Sequence, residues 1–449
     1  MSSDIITKVQ LAKSASIPLA SVSGAVKNSA LASMAQALDS NRKIIISANK
    51  KDMAAAEKLA NAGKLSRSLV KRLKVDDTKI DEMIAGVRDV LKFEDPVGKT
   101  LGALELDSGL ELYQVSCPIG LIGVIFESRP DVVPQIMSLC LKSGNATIFK
   151  GGSEAINSNR AIFDVLVNAI ETTEGMPHGA FALMETREEV NEMLKLDDYI
   201  NLIIPRGSNE FVKYIQDNTR IPVLGHSSGI CHVYVDKEAD LIKAEDVCYD
   251  SKVQYAAVCN AMETLLVHRD IAGKFLPKMG KKYDAAGVEL RCDERSFDLL
   301  KGMGFLKAII HASEEDWRTE YNDMILSVKI VDSIGEAIDH INKYGSHHTD
   351  AIITENKASA IIFIDIVDSS SVMWNASTRF ADGFRYGKGA EVGISTNKIH
   401  ARGPVGMEGL LIYKYVLLGN GHKVADYVGK TARKYTHKKL KTTLSGKIG

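Results

Sequence analysis

The stretch that decides how this chain is organised covers residues 252–268 and reads Lys-Val-Gln-Tyr-Ala-Ala-Val-Cys-Asn-Ala-Met-Glu-Thr-Leu-Leu-Val-His. Cys259 follows the small residues Ala256 and Ala257 and precedes residues 264–267, a run typical of a β-strand that would hold the cysteine on a rigid support. A cysteine attacks as its thiolate, so a helix terminus or a cation would have to lower its pKa. A small buried apolar side chain is the commoner role of a cysteine. The rest of the chain must therefore decide between the two.

Composition limits the class of protein. The 449 residues suggest about two or three domains, and the 56 basic and 57 acidic residues provide no overall field for nucleic acid or membrane. No apolar run approaches the roughly 18 residues of a spanning helix, and the first residues lack a secretory pattern, so we expect a cytoplasmic protein. Six cysteines without Cys-x-x-Cys spacing and eleven scattered histidines predict reduced thiols and no metal site.

Hydrophobic periodicity predicts an α/β protein. Residues 4–92 have the three- and four-residue spacing of helices. Short apolar runs separated by helical segments follow, which predicts a parallel, Rossmann-type sheet. These runs cover residues 119–126, 146–149, 181–184, 199–204, 222–224 and 230–235. A second α/β region after Cys259 includes a helix at 336–343 and strands at 351–354 and 372–374.

A small β flap is predicted outside these two regions. Runs at residues 101–106 and 110–115 flank Asp107-Ser108-Gly109 and predict a hairpin. The late strand at 410–418 would be an exposed edge unless it pairs with that hairpin and with another subunit. The end of the chain from Lys430 is basic and poor in apolar residues, which predicts a solvated, mobile tail.

Two kinds of segment are candidates for ligand binding. Residues 127–130, 150–153 and 205–209 follow predicted strands and place Gly, Ser, Lys or Arg where a phosphate could meet backbone N–H groups. Ordinary turn chemistry is the alternative for each. The glycine-rich stretch 375–409 carries Arg379, Arg385 and Arg402, and guanidinium groups suit carboxylate and phosphate. A solvated surface loop is the alternative there.

Five motifs, in order along residues 5–428, resemble the gamma-glutamyl phosphate reductase family of the aldehyde dehydrogenase superfamily. They are Phe126-Glu127-Ser128-Arg129-Pro130, Lys142-Ser143-Gly144-Asn145, Ile204-Pro205-Arg206-Gly207-Ser208, Val258-Cys259-Asn260-Ala261-Met262-Glu263-Thr264 and Trp374-Asn375-Ala376-Ser377-Thr378-Arg379-Phe380. The resemblance implies an aldehyde dehydrogenase-like fold with a Rossmann-type cofactor domain, an α/β catalytic domain and a small β oligomerisation flap. The domains expected are 1–100 with 118–228 for NADPH, 229–405 for catalysis, 101–117 with 406–428 for the flap, and 429–449 for the mobile tail.

The resemblance also implies the chemistry. NADPH would reduce L-glutamyl 5-phosphate to L-glutamate 5-semialdehyde and phosphate in proline biosynthesis, with Cys259 as the nucleophile that forms a thioacyl enzyme. Backbone N–H groups beside Cys259, and less strongly the Asn260 side chain, would stabilise the oxyanion. Substrate binding is expected from Arg129, Asn375, Arg379 and Arg402, in no fixed order. Arg129 draws attention because Ser128-Arg129 stands where related enzymes carry an oxyanion-binding asparagine.

The cofactor residues are likewise implied by the resemblance. Lys150 would meet the adenosine ribose, with Gly152 beside it. Ser153 replaces a carboxylate that favours an unphosphorylated ribose, which points to NADPH. Gly207 and Ser208 would open a helix near the pyrophosphate, and Glu320 would hold the nicotinamide ribose.

Two other readings compete with this one. A hydrolytic aldehyde dehydrogenase would need a general base, but the segment that carries it in those enzymes, Glu-Leu-Gly-Gly, reads Val223-Leu224-Gly225-His226 here. A catalytically silent scaffold would bind an acidic partner through the basic tail. The partners expected are a small-molecule substrate, further copies of the chain as a homodimer or larger homo-oligomer, and the glutamate kinase that supplies the acyl phosphate, with no nucleic acid or membrane.

Overall fold

The structure is a computed structural model that describes residues 3–185, 188–305 and 308–448. The chain begins with helices, as its periodicity predicts. Helix α5 buries Ile80, Met83, Ile84 and Val87 on one face, and its first turn is capped by Asp76, whose carboxylate accepts a hydrogen bond from the backbone N–H of Lys79 at 3.0 Å. The opening helices are α1 (Ser3–Leu19), α2 (Gly24–Ser40), α3 (Arg42–Asn61), α4 (Arg67–Leu73) and α5 (Asp77–Lys92).

The predicted hairpin follows as strands β1 (Thr100–Asp107) and β2 (Leu110–Pro118), which pair antiparallel. Gly109 lies in the turn with φ at +75°, a conformation that glycine adopts without strain. The hairpin is therefore confirmed.

A four-stranded parallel sheet comes next, with strand order β5-β4-β3-β6. Every residue of β3 and β4 is buried, as expected for strands covered on both faces. The chain moves outward from β3 to β5 and then returns to the other side of β3, so the direction of winding switches between β3 and β6. The elements are β3 (Leu121–Phe126), α6 (Val132–Lys142), β4 (Ala146–Gly151), α7 (Ile156–Glu171), β5 (Phe181–Met184), α8 (Glu188–Met193), β6 (Leu202–Arg206) and α9 (Asn209–Asp217).

The predicted strand at residues 222–224 is wrong. Only one bridge, between Ile203 and Val223, is present there. Pro222 lacks an N–H and cannot donate to a ladder, although its carbonyl accepts a hydrogen bond from the N–H of Ile203 at 2.9 Å.

The second sheet has seven parallel strands in the order β10-β9-β11-β8-β7-β12-β13. Helices cover both faces, and all seven residues of β8 are buried. Cys259 lies in the turn just before β8, so the predicted strand support is confirmed. The elements are β7 (Cys231–Val235), α10 (Leu241–Val253), β8 (Met262–His268), α11 (Arg269–Ala285), β9 (Glu289–Cys292), α12 (Glu294–Leu300), β10 (Ile309–His311), β11 (Ile325–Val331), α13 (Ile334–Tyr344), β12 (Thr349–Ile353), α14 (Lys357–Ile366) and β13 (Ser371–Trp374).

The glycine-rich stretch 375–409 is a packed segment, which contradicts the solvated-loop alternative. It contains a short antiparallel ladder of β14 (Gly393–Ser395) and β15 (Gly403–Val405). Val392, Val405 and Met407 are buried in the same core as the first sheet. The segment therefore connects the second sheet back to the first.

The flap is completed by strands from the end of the chain. Strand β16 (Leu411–Leu418) pairs antiparallel with β2, as predicted, and β17 (Lys438–Lys439) pairs with β1. The four strands lie in the order β16-β2-β1-β17, and a short helix α15 (Ser445–Ile448) ends the chain. In the described ranges, no helix combines the length and apolar character that crossing a membrane requires.

The expectation of a mobile tail differs from the structure. Although most of its side chains are exposed, Arg433 pairs with Asp107 at 2.6 Å and Lys447 pairs with Glu111 at 2.9 Å. The physical reason is charge complementarity, because the hairpin presents acidic residues to a basic segment that also adds a strand to its edge.

Candidate active site

Cys259 lies on a tight turn that its neighbours hold in place. The N–H of Ala261 donates to the carbonyl of Val258 at 3.0 Å, and the Cys231 thiol donates to the Cys259 carbonyl at 3.2 Å. Gly229 packs on the other side, where a Cβ would come within 2.5 Å of the Cys259 Cα. The turn therefore requires a glycine at position 229, and it leaves Cys259 partly exposed.

The Cys259 thiol is protonated in this state. Burial raises its pKa to about 12, the negative charges of Glu320 and Glu391 add to the rise, and Arg206 opposes it. The sequence analysis expects a cation that lowers the pKa of Cys259, and Arg206 is such a cation. Desolvation raises this pKa by more than Arg206 lowers it. The thiol must therefore give up its proton as it reacts.

Arg206 and Arg379 are the guanidinium groups whose charges act on Cys259. Arg206 ends β6 of the first sheet, whereas Arg379 lies after β13 of the second and is buried. The Arg379 Nε donates to the Gln254 side chain at 3.0 Å. Burial lowers the pKa of both arginines, yet they stay cationic at neutral pH. Sequence reasoning did not assign Arg206, although its place at a strand end was a usable signal.

The other predicted substrate residues lie in different settings. Arg129 pairs with Asp131 at 3.2 Å and is close enough to Arg206 for their charges to repel. Arg402 pairs with Asp368 at 3.2 Å and also donates to the Asp368 carbonyl. Asn375 has φ at +54° and exchanges hydrogen bonds with the backbone of Thr354. Arg402 and Asn375 thus support the fold in this state, and substrate contacts by them stay predictions.

The Asn260 side chain is committed to the fold. It is buried, and its Nδ2 donates to the Ala381 carbonyl at 2.9 Å. Its Oδ1 has no hydrogen-bond partner among the described residues. An oxyanion role for this side chain would have to use its second N–H, so backbone N–H groups are better placed for that role.

A buried ion pair, which sequence reasoning missed, joins the two ends of the segment that carries Cys259. Lys252, at the end of α10, and Glu263, at the start of β8, meet at 2.6 Å with no exposure of either side chain. Glu263 also accepts a hydrogen bond from the N–H of Asn322 at 3.1 Å. This links the turn to the segment of Glu320, whose carboxylate accepts from the side chain of Asn209.

The predicted cofactor residues other than Glu320 lie at the carboxyl ends of β4 and β6, next to the end of β3. Lys150 is buried there, and its ammonium donates to the Gly151 carbonyl. Ser208 immediately precedes helix α9, and its N–H donates to the Glu127 carboxylate at 2.9 Å. Because winding switches between β3 and β6, this crevice is where open α/β sheets bind ligands.

These residues fit a dinucleotide. A Cβ on Gly207 would lie 2.6 Å from the Glu127 carboxylate, so any larger residue would displace that side chain where the backbone would approach a pyrophosphate. Lys150 supplies a cation for the ribose side. A carboxylate does lie at this edge, however. Glu154, next to Ser153, accepts hydrogen bonds from the N–H and the hydroxyl of Ser128 at 2.6 and 2.8 Å. Those bonds occupy one oxygen of Glu154 and stabilise the left-handed Ser128 backbone, φ +47°.

One further group surrounds Cys259. A nitrogen of His226, a nitrogen of His348 and the Cys259 sulfur lie within 4.8 Å of one another. Both histidines are far from Cys259 in the sequence, so no sequence motif identified this group. The sequence analysis predicted no metal site.

Comparison with known proteins shows what this architecture is similar to. The aldehyde dehydrogenase family matches residues 1–298. Gamma-glutamyl phosphate reductase of Methanococcoides burtonii is 70% identical over 445 residues, which cover 99% of each chain. The corresponding protein of Pelotomaculum thermopropionicum is 56% identical over 431 residues, covering 95% of this chain and 96% of the relative.

A solved structure agrees with the sequence relatives. The crystal structure of gamma-glutamyl phosphate reductase from Thermotoga maritima superposes with a TM-score of 0.89 at 41% identity. The match covers 93% of this chain and 99% of that one. The two-sheet architecture with its flap is therefore shared along nearly the whole length.

Proposed function

Because this chain belongs to the aldehyde dehydrogenase family and, within it, to the gamma-glutamyl phosphate reductases, we propose that it reduces L-glutamyl 5-phosphate to L-glutamate 5-semialdehyde and phosphate. The reaction would be a step of proline biosynthesis with NADPH as reductant. The observation that carries the proposal is the partly exposed Cys259 on its braced turn, close enough to Arg206 and Arg379 for their charges to interact.

In the first half-reaction, the Cys259 sulfur attacks the acyl carbon of the substrate. The carbon–sulfur bond forms, the bond between the acyl carbon and the phosphate oxygen breaks, and the thiol proton ends on the departing phosphate, which leaves as HPO₄²⁻. A protonated resting thiol suits this step because the leaving group itself takes up the proton. Backbone N–H groups of the turn stabilise the oxyanion that forms on the way.

The second half-reaction resolves the thioester by reduction. When bound, NADPH supplies the hydride that the thioester carbonyl accepts. The resulting tetrahedral species expels the Cys259 sulfur, which regains a proton from solvent as the aldehyde leaves. No activated water is needed, which agrees with Val223 where a hydrolytic enzyme would carry its glutamate.

Charge complementarity suggests how the substrate is oriented. The substrate carries a phosphate and a carboxylate, and Arg206 and Arg379 present cations to the reacting sulfur. Arg129, beside Arg206, extends the positive charge on the side of the first sheet. We assign the phosphate to Arg206 with Arg129 and the α-carboxylate to Arg379.

The choice of NADPH rests on the residues after β4. Lys150 supplies positive charge at the ribose side, and Ser153 adds no negative charge there. Glu154 is bound to Ser128, so its charge is partly neutralised by hydrogen bonds. A 2′-phosphate would thus meet a cation with little opposing charge.

Assembly is part of the proposal. The outer edge of β16 has no strand beside it among the described residues, and Tyr413, Tyr415 and Leu417 are exposed along it. A second copy that covers this edge would remove an aggregation hazard. Association with the glutamate kinase, and a cytoplasmic location, would suit an unstable acyl phosphate intermediate.

The test runs the reaction in reverse. We expect the parent to reduce NADP⁺ with glutamate 5-semialdehyde only when phosphate is present, because phosphate must attack the thioester to release the product. Cys259→Ala should lower this rate by at least about 10⁴-fold. Cys140→Ala is the matched control, since it changes a buried cysteine in helix α6, away from the turn that carries Cys259. Turnover without phosphate would contradict the proposal and indicate a hydrolytic enzyme.

A further inference from the structure

The two histidines beside Cys259 are not used by the chemistry described above. His226 follows the first sheet, and His348 lies just before β12 of the second. Their rings meet edge to face, with centroids 5.0 Å apart. One nitrogen from each ring and the Cys259 sulfur lie within 4.8 Å of one another, so three potential metal ligands converge on one point.

The hydrogen bond that His226 makes to the backbone leaves one of its ring nitrogens available to a metal. The Nδ1 of His226 lies 2.9 Å from the Ile394 carbonyl, which can only accept, so this nitrogen carries the hydrogen and Nε2 carries the lone pair. A histidine ligand held by a carbonyl in this way is the usual arrangement around protein metals.

His348 provides an independent sign of a ligand. It is fully buried, its Nδ1 lies 2.9 Å from the Thr349 hydroxyl, and its Nε2 has no hydrogen-bond partner among the described residues. A buried polar atom without a partner is costly. A cation coordinated by this nitrogen would remove that cost.

From this geometry we propose that His226, His348 and the Cys259 thiolate form a site for a thiophilic divalent cation such as Zn²⁺. Two imidazoles and one thiolate are typical zinc ligands and leave a fourth position open. Zinc bonds of about 2.0 to 2.3 Å put ligand atoms about 3.3 to 3.6 Å apart, so the three side chains must close by about 1 Å. As the zinc–sulfur bond forms, the thiol proton passes to solvent and no oxidation state changes.

The surrounding charges select the kind of cation. Glu320 and Glu391 present negative charge to the sulfur, whereas Arg206 and Arg379 present positive charge. These charges nearly cancel, so direct bonds to sulfur and nitrogen must provide the affinity. Mg²⁺ and Ca²⁺ prefer oxygen ligands and are therefore excluded.

The consequence is reversible inhibition, a conclusion that rests on the proposed function of Cys259. A metal-bound sulfur cannot attack an acyl phosphate, so each bound cation removes one active site. Chelation would restore the thiol. The existence of the site itself does not depend on the reaction.

The test uses Co²⁺ as a spectroscopic probe on the full-length protein. We expect one equivalent to produce a thiolate-to-cobalt charge-transfer band together with the strong visible bands of four-coordinate Co²⁺, and Zn²⁺ but not Mg²⁺ to displace it. Cys259→Ser should abolish the charge-transfer band. His226→Ala and His348→Ala should each weaken Co²⁺ binding by at least about tenfold.

Two matched controls fix the assignment. Cys140→Ser changes a buried thiol in helix α6, away from the site, and His178→Ala changes an exposed histidine paired with Glu171. Both should bind Co²⁺ like the parent.

The proposal is overturned if the parent shows no band, if the band survives in Cys259→Ser, or if neither histidine variant weakens binding. If His348→Ala does not fold, His226→Ala tests the proposal, because His226 is only half-buried and its replacement should disturb the fold less. Because binding is read without turnover, a protein that binds Co²⁺ here but does not reduce the acyl phosphate would overturn the proposed function and leave the site intact.

Discussion

At the scale of single residues, the state of the Cys259 thiol is set by opposing effects. Desolvation and the charges of Glu320 and Glu391 raise its pKa, and Arg206 lowers it. A thiol that is protonated at neutral pH reacts slowly with electrophiles other than the substrate. Under the proposed mechanism, this protects Cys259 until the substrate supplies an acceptor for the proton.

The alkylation of Cys259 should reveal this balance. We expect its rate of reaction with iodoacetamide in the free enzyme to rise about tenfold per pH unit from pH 7 to 9, because the thiolate fraction rises in that way below the pKa. At pH 8, Glu320→Gln should speed the reaction and Arg206→Gln should slow it. Mass spectrometry of the labelled peptide measures the rate. A plateau below pH 9 would show that the pKa is not raised.

At the scale of elements, the catalytic turn depends on contacts from β7 and its approach. Gly229 touches the Cys259 backbone, and Cys231 donates to the Cys259 carbonyl. The ion pair of Lys252 and Glu263 joins the two ends of the segment. Cys259 is therefore positioned by the second sheet, whereas Arg206 approaches from the first.

Gly229→Ala should displace the turn. The added Cβ would overlap the Cys259 backbone, and a shift of about 1 Å in the nucleophile costs about 10²-fold in turnover. Gly273→Ala is the control, because a Cβ at that position in helix α11 meets nothing within 4 Å. It should keep full activity and raise the melting temperature slightly. Steady-state kinetics and thermal unfolding measure both effects, and an active Gly229→Ala enzyme would contradict the assigned contact.

At the scale of the whole molecule, the flap joins an early hairpin to strands near the end of the sequence. The hairpin of β1 and β2 pairs with β16 on one side and with β17 of the tail on the other. The tail therefore covers one edge of this sheet, whereas no strand among the described residues covers the outer edge of β16.

Removing residues 430–449 should show whether the tail acts on the flap or on the active site. We expect turnover to stay within about twofold, because the tail contacts described above reach the hairpin and not the active site. The uncovered edge of β1 should lower the temperature at which the protein aggregates, as measured by light scattering. Lys430→Ala, a change of one exposed side chain in a tail that is otherwise intact, should behave like the parent. Loss of turnover in a folded truncated enzyme would instead assign the tail to the site.

The sequence by itself determined the features that depend on neighbours along the chain. Apolar periodicity identified helix α5 and the parallel strands, the Asp107-Ser108-Gly109 turn identified the hairpin, and the β-type run after Cys259 identified the strand that supports it. These features follow from local backbone preference and side-chain spacing. One exception was the run at 222–224, where a proline limited the ladder.

Only the tertiary structure decided which distant side chains meet. It brought Arg206, His226 and His348 to Cys259, and it engaged Arg402 with Asp368. It also placed the basic tail on the acidic hairpin. Desolvation, ion pairing and metal-ligand geometry depend on contacts across the fold, and residue order along the chain does not specify those contacts.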